Sequence, residues 1–186
     1  MLDEHERKYS LDLAKEALCY YLLNDTHLTI NAIYIVEQFG KHSDLLAKQG
    51  CFVTLKKNQE LRGCIGTIVS NDSLYKNIIN NAIAAGSKDP RFPKVKSEEL
   101  SDISFEISVM GPVKLVKNIT DINIGEHGLI IKKGLLQGLL LPQVAVEHEW
   151  DVHQFLKQTC LKAGLDPSAL DDEDTELFYF SSEVFS

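Results

Sequence analysis

Cys51-Phe52-Val53-Thr54-Leu55-Lys56-Lys57 and Leu61-Arg62-Gly63-Cys64-Ile65-Gly66-Thr67-Ile68 are two runs rich in apolar and β-branched residues. They flank Asn58-Gln59-Glu60, and the pattern predicts a β-hairpin. Asn58 enters a left-handed backbone more readily than Gln59, so a two-residue turn and a longer bulged loop both fit. Simple alternation along the second strand sets Leu61, Gly63 and Ile65 on one face and Arg62, Cys64 and Gly66 on the other, with neighbours on a face about 7 Å apart.

Residues 9–23 carry Leu13, Ala14, Ala17, Leu18, Tyr21 and Leu22 at helical spacing, with Ser10 placed as a cap. Residues 30–39 are apolar with many β-branched residues; they read as strand or helix, and in either case as mostly core. Residues 73–86 predict a second helix with Leu74, Ile78, Ile79, Ala82 and Ala85 in one stripe, after Asp72 as a cap. Residues 103–109 alternate as a strand with one wet face, 129–133 and 135–141 read as strands around Gly134, and 177–180 as a closing strand. Asp151 opens a helix whose inward stripe is Val152, Phe155, Leu156, Thr159, Cys160 and Ala163. Strands outnumber helices without regular alternation, so the fold class is α+β, a mixed and largely antiparallel sheet flanked by helices, in a single domain spanning 1–186.

The 186 residues suit one compact domain, and 44% hydrophobic content supplies a core. A net charge of -8 disfavours a nonspecific nucleic-acid binder, because phosphate backbones are repelled. The four cysteines, Cys19, Cys51, Cys64 and Cys160, are too scattered for a paired-thiol or zinc motif. With no signal-like amino terminus and no unbroken apolar span, the expectation is a cytoplasmic protein that does not enter a membrane.

Chemistry concentrates in residues 61–66. A guanidinium near sulfur favours thiolate, and a bare glycine beside it lets a ligand approach, which suits a nucleophile or a gripping site. The plainer reading is a small packed cysteine and a glycine that makes room for a helix. Asp89-Pro90-Arg91-Phe92-Pro93 is a stiff loop from which Asp89, Arg91 and Phe92 either hold an anion and an apolar group or lock the loop by an Asp-Arg pair. Gln143, in an apolar context, either binds a ligand or satisfies backbone. Glu147, His148 and His153 lack the spacing of a metal motif, so no metal or cofactor is expected; His148 remains a proton carrier for Cys64 if folding brings them together.

Together, Phe52-Val53-Thr54-Leu55, Leu61-Arg62-Gly63-Cys64-Ile65-Gly66-Thr67, Asp89-Pro90-Arg91-Phe92-Pro93, Leu140-Leu141-Pro142-Gln143-Val144-Ala145 and Thr159-Cys160-Leu161-Lys162-Ala163-Gly164-Leu165 resemble, in order, the signatures of the AMMECR domain family. The resemblance implies two unequal lobes with a cleft between them, and residues 61–66 as the functional centre. It also implies association with Memo-like and radical SAM proteins, and leaves the biochemical activity open. Two readings follow. In one, a binding or accessory component uses Arg62, Gly63, Gly66, Asp89, Arg91, Phe92 and Gln143 to hold a partner, a peptide or a small anion. In the other, an enzyme uses Cys64 as nucleophile or acid-base group, with His148, on a small anionic substrate. The sequence departs from the family at Glu149, where many relatives have Gly before Trp150, and at Leu170, where an aromatic is common.

Overall fold

The computed structural model describes residues 2–186. The chain divides into two compact units, one reaching to Met110 and including Glu183–Ser186, the other Gly111–Ser182. Each contains antiparallel strand pairs. Among the described residues no helix is long and apolar enough to cross a membrane.

In the first unit, α1 (Glu4–Asn24) begins earlier than its apolar stripe suggests. Asp3 accepts from Glu6 N–H, and the Glu6 carboxylate accepts from Asp3 N–H, a reciprocal capping box. Ser10 is therefore not the cap; buried mid-helix, its hydroxyl donates to Glu6 O. Leu13, Ala14, Ala17 and Leu18 bury as their spacing requires. Residues 32–39 form a helix, α2 (Ala32–Phe39), capped by Asn31, and only Ile35 of it is buried. The expectation that residues 30–39 are mostly core is thereby corrected: Ile33, Tyr34 and Val36 remain exposed.

The sheet of this unit places β1 (Cys51–Lys57) between β2 (Glu60–Gly66) and β3 (Ile103–Met110). Cys51, Val53 and Leu55 of β1 and Ile103, Phe105 and Ile107 of β3 bury in the core with α1 and α3 (Leu74–Ser87). The cap position of α3 is Ser73 rather than Asp72, and it makes no side-chain cap bond. All five stripe residues of α3 are buried, and so are Asn77 and Asn81. Asn81 donates to Cys51 O at 2.9 Å and Asn77 to Gln49 O at 2.9 Å. Two buried amides thus satisfy carbonyls at the start of β1, which is why polar residues are tolerated on the inner side of α3.

In the second unit β5 (His127–Lys133) pairs with β6 (Leu136–Leu140) on one side and β7 (Thr175–Phe185), which belongs to this unit as far as Ser182, on the other, and the short strand Lys114–Leu115, β4, pairs with β7. Its helices are α4 (Pro142–Glu147) and α5 (Val152–Lys162). Asp151 caps α5 in a second capping box, with Gln154, and Phe155, Leu156, Thr159 and Cys160 bury as expected. Leu129, Ala145, Phe155 and Leu156 form one apolar cluster, and Ile131, Cys160, Ala163, Leu165 and Ala169 another.

Candidate functional site

The hairpin turn is the two-residue alternative. Asn58 and Gln59 both have positive φ, 53° and 69°, and Lys57 pairs with Glu60, the backbone that matches strand twist. The ladder then slips: Lys56 faces Leu61 but Leu55 faces Gly63, so Arg62 is an extra residue on β2. This one-residue bulge decides where Cys64 lies. Without it, Cys64 would oppose buried Val53; with it, Cys64 opposes Thr54 and Gly63 opposes Leu55.

Gly63 consequently turns toward α3. A Cβ there would lie 2.2 Å from Ala85 O, so only glycine lets the helix approach this closely. At Gly66 a Cβ would lie 2.3 Å from the Phe52 ring. The space beside both glycines is thus taken by the protein's own atoms, as in the plainer reading of the motif.

Arg62 does not share Cys64's surroundings, contrary to the alternation reading, because the bulge breaks the two-residue period at Arg62 itself. Its guanidinium donates to both carboxylate oxygens of Glu99, at 3.2 and 3.0 Å, and to Pro93 O at 2.9 Å, and only 13% of its side chain is exposed. Glu99 also accepts from Lys57 Nζ and from Lys96 N–H. These donors, Arg62 foremost, hold the Glu99 carboxyl down at about 2.

The cation beside Cys64 is Arg91. Asp89 accepts from Cys64 N–H at 2.9 Å, and Arg91 Nη2 donates to Cys64 O at 3.3 Å. Arg91 meets the same Asp89 carboxylate through Nε at 2.9 Å and Nη2 at 2.7 Å, a side-on pair. Both backbone groups of Cys64 are thus engaged by an acid and a base from one loop, as a neighbouring strand would engage them. The Asp89 carboxyl is pushed well below its ordinary range by the Arg91 side chain first and then by the Cys64 and Arg91 N–H groups; Asp89 in turn raises Arg91. The Asp-Arg lock foreseen for this loop is formed, and its anchor is β2. The Arg91 side chain stays 54% exposed, with Phe92 5.5 Å beneath its guanidinium carbon.

The Cys64 sulfur, half-buried, accepts from the Thr54 hydroxyl at 3.3 Å. Thr54 and Glu99 were missed by sequence reasoning. Thr54 is found opposite Cys64 only once the bulge is counted; Glu99 carries no local signal beyond standing in an acidic pair. Cys51, by contrast, is buried against Asn81 and its thiol is pushed up to about 12, chiefly by burial. Cys160 is raised by burial as well.

Gln143 and His148 belong to the second unit. Gln143 Oε1 is buried with no hydrogen-bond partner, so that oxygen does not serve a backbone group. His148, exposed, stacks on Trp150 with centroids 4.6 Å apart and planes 15° from parallel. Glu149 between them has φ 54°, the left-handed region where glycine is easiest. Its geometry is the one a glycine would adopt there. Leu170 packs, partly buried, against both apolar clusters of this unit.

A protein of Thermococcus onnurineus is 45% identical over 156 residues, covering 78% of this chain and 76% of its own length. One of Methanococcoides burtonii is 39% identical over 190 residues, covering 100% and 90%. The crystal structure titled uncharacterized protein PH0010 from Pyrococcus horikoshii matches with a TM-score of 0.87 at 36% identity, covering 98% of this chain and 92% of that one. The AMMECR1 family model matches residues 11–185, and the chain belongs to the AMMECR1 family.

Proposed function

We propose that this chain is a binding or accessory component rather than an enzyme, and that its contact surface on the first unit is built on Cys64, Arg91 and Phe92. The observation that carries this reading is the use made of the polar groups around Cys64. Arg62 is held by Glu99, and Asp89 is held by Arg91 and the Cys64 amide. The acid and the base near the sulfur neutralise one another and fix backbone. Such an arrangement makes a rigid, shaped surface with one half-exposed guanidinium, which is what recognition requires. The bonds made by Arg91 use Nε and Nη2, leaving Nη1 for an acidic group of the partner. On the second unit, Gln143 and the stacked His148 are the corresponding contact residues. Memo-like and radical SAM proteins are the partner class, with a peptide or small anion as the simpler ligand.

One observation favours the second reading, an enzyme with Cys64 as nucleophile: the Thr54 hydroxyl donates to the sulfur and orients it. Capture of a tagged Memo-like or radical SAM protein separates the two. In the binding reading Cys64→Ser retains capture and Phe92→Asp weakens it about tenfold or more at unchanged melting temperature. Loss of a turnover by Cys64→Ser, with capture of no partner by the wild type, would establish the enzyme instead.

A further inference from the structure

Away from the Cys64 surface, two hollows on the first unit share one carboxylate. The first, about 330 Å³, is lined by Tyr9 and Glu16 of α1, by Thr29, Ile30 and Asn31 after it, and by Tyr34 of α2. The second, about 390 Å³, runs along α1 over Glu16, Cys19, Tyr20 and Leu23, with Asp12 and Lys15 also in its lining. Tyr20 and Leu23 are exposed large apolar residues, Leu23 to 69%. Their position on the outward side of α1 contributes nothing to the core, which takes Leu13, Ala14, Ala17 and Leu18 from the opposite side.

The charges in the two hollows differ. The second is lined by Asp12, Lys15 and Glu16, a cation among two acids, and among the described residues no ion pair joins them. In the first, Glu16 is the one charged side chain, and among the described residues no ion pair neutralises it. The Tyr9 phenol is pushed up to about 12, by burial first and then by Tyr34 and Glu16. Burial disfavours a charge of either sign, so it is the Glu16 carboxylate that favours a cation here. Its polar lining also offers acceptors: a carboxylate, two phenol oxygens and the Thr29 hydroxyl. An ammonium group supplies the matching donors and charge, and the apolar extension over Tyr20 and Leu23 suits a hydrocarbon attached to it.

We propose that the two hollows form one site for a small amphiphilic amine, its protonated nitrogen at Glu16 between Tyr9 and Tyr34 and its hydrocarbon along Tyr20 and Leu23. The proposal is independent of the Cys64 surface. Calorimetric titration of the full chain at neutral pH with hexylammonium, hexanol, hexanoate and methylammonium tests it. Hexylammonium is expected to bind about tenfold or more tighter than hexanol or methylammonium, and hexanoate to give no binding. Glu16→Gln should weaken hexylammonium about tenfold, and Leu23→Ser should weaken hexylammonium severalfold without changing methylammonium. Both residues are exposed, so both variants should keep the wild-type melting temperature; if one does not, the wild-type ligand series decides by itself. Equal binding of hexanol and hexylammonium, or indifference of hexylammonium to Glu16→Gln, overturns the proposal. So does tighter binding of Nα-acetyl-lysine amide than of hexylammonium, which would assign the ammonium to a protein side chain instead.

Discussion

Each unit contains a two-residue hairpin whose second strand carries a glycine against a helix, and the two hairpins differ by one residue. In the second unit Gly134 alone has positive φ in the turn, Lys133 faces Leu136, and the register runs unbroken to Leu129 facing Leu140. A Cβ at Gly138 would lie 2.5 Å from Ala163 N, just as one at Gly63 would lie 2.2 Å from Ala85 O. The hairpin of the first unit adds Arg62. The regular ladder packs Gly138 against α5, whereas the interrupted one lets Gly63 serve the helix while its neighbour Cys64 meets Thr54 and the Asp89-Arg91 pair. An inserted residue has converted a packing position into a presented one.

The largest effects are expected at the two glycines that face a helix. Gly63→Ala and Gly138→Ala should each cost about 3 kcal/mol or more, because the atoms in the way are backbone. Urea unfolding measures both, and a small loss at either would mean that the helix is free to retreat.

Next is the bulge's own anchor. Glu99→Gln should cost about 2 kcal/mol by removing the charged acceptor of a guanidinium that is 13% exposed. Arg62→Ala should cost a similar amount, which marks Arg62 as a residue of stability. Unchanged urea midpoints in both would detach the bulge from this network.

The acid limb of stability gives a third test. Glu99 titrates at about 2 instead of 4.5, and Asp89 is lowered too. A carboxyl lowered by folding adds stability that is complete above its unfolded value and is lost as pH falls through its folded value. Unfolding free energy should therefore decline as pH falls from about 4.5 toward 2. The decline should be shallower in Glu99→Gln, and equal slopes would contradict the cause assigned to the shift.

The smallest effect concerns the turns. Gln59→Gly should stabilise by about 1 kcal/mol, relieving a left-handed residue that carries a side chain. Leu135→Gly should give no such gain, since Leu135 is not among the residues of positive φ. A matching gain at both would make the turns equivalent.

Much of the architecture was legible in residue spacing. The inward stripes of α1, α3 and α5 and the β1-β2 hairpin follow from periodicity, which records burial directly. Residues 30–39 resisted because β-branched residues suit a strand while Asn31 supplies a helix cap, and their apolar character implied burial that only Ile35 achieves. The bulge was illegible for a different reason. Alternation assumes an unbroken ladder, and nothing in Leu61-Arg62-Gly63 states that Arg62 is unpaired; it is revealed by where Glu99 and Ala85 lie in space. Thr54 inherits that difficulty, since its partner depends on the register. The Asp89-Arg91 lock was visible as an alternative, but its attachment to the Cys64 backbone was not.

Native-state alkylation with iodoacetamide, read residue by residue by mass spectrometry, tests the bulge most directly. Cys64 should be labelled in the folded wild type while Cys51 and Cys160, both fully buried, are labelled only on unfolding, and deletion of Arg62 should return Cys64 to the protected class. Protection of Cys64 in the folded wild type, or labelling unaffected by that deletion, would contradict the account.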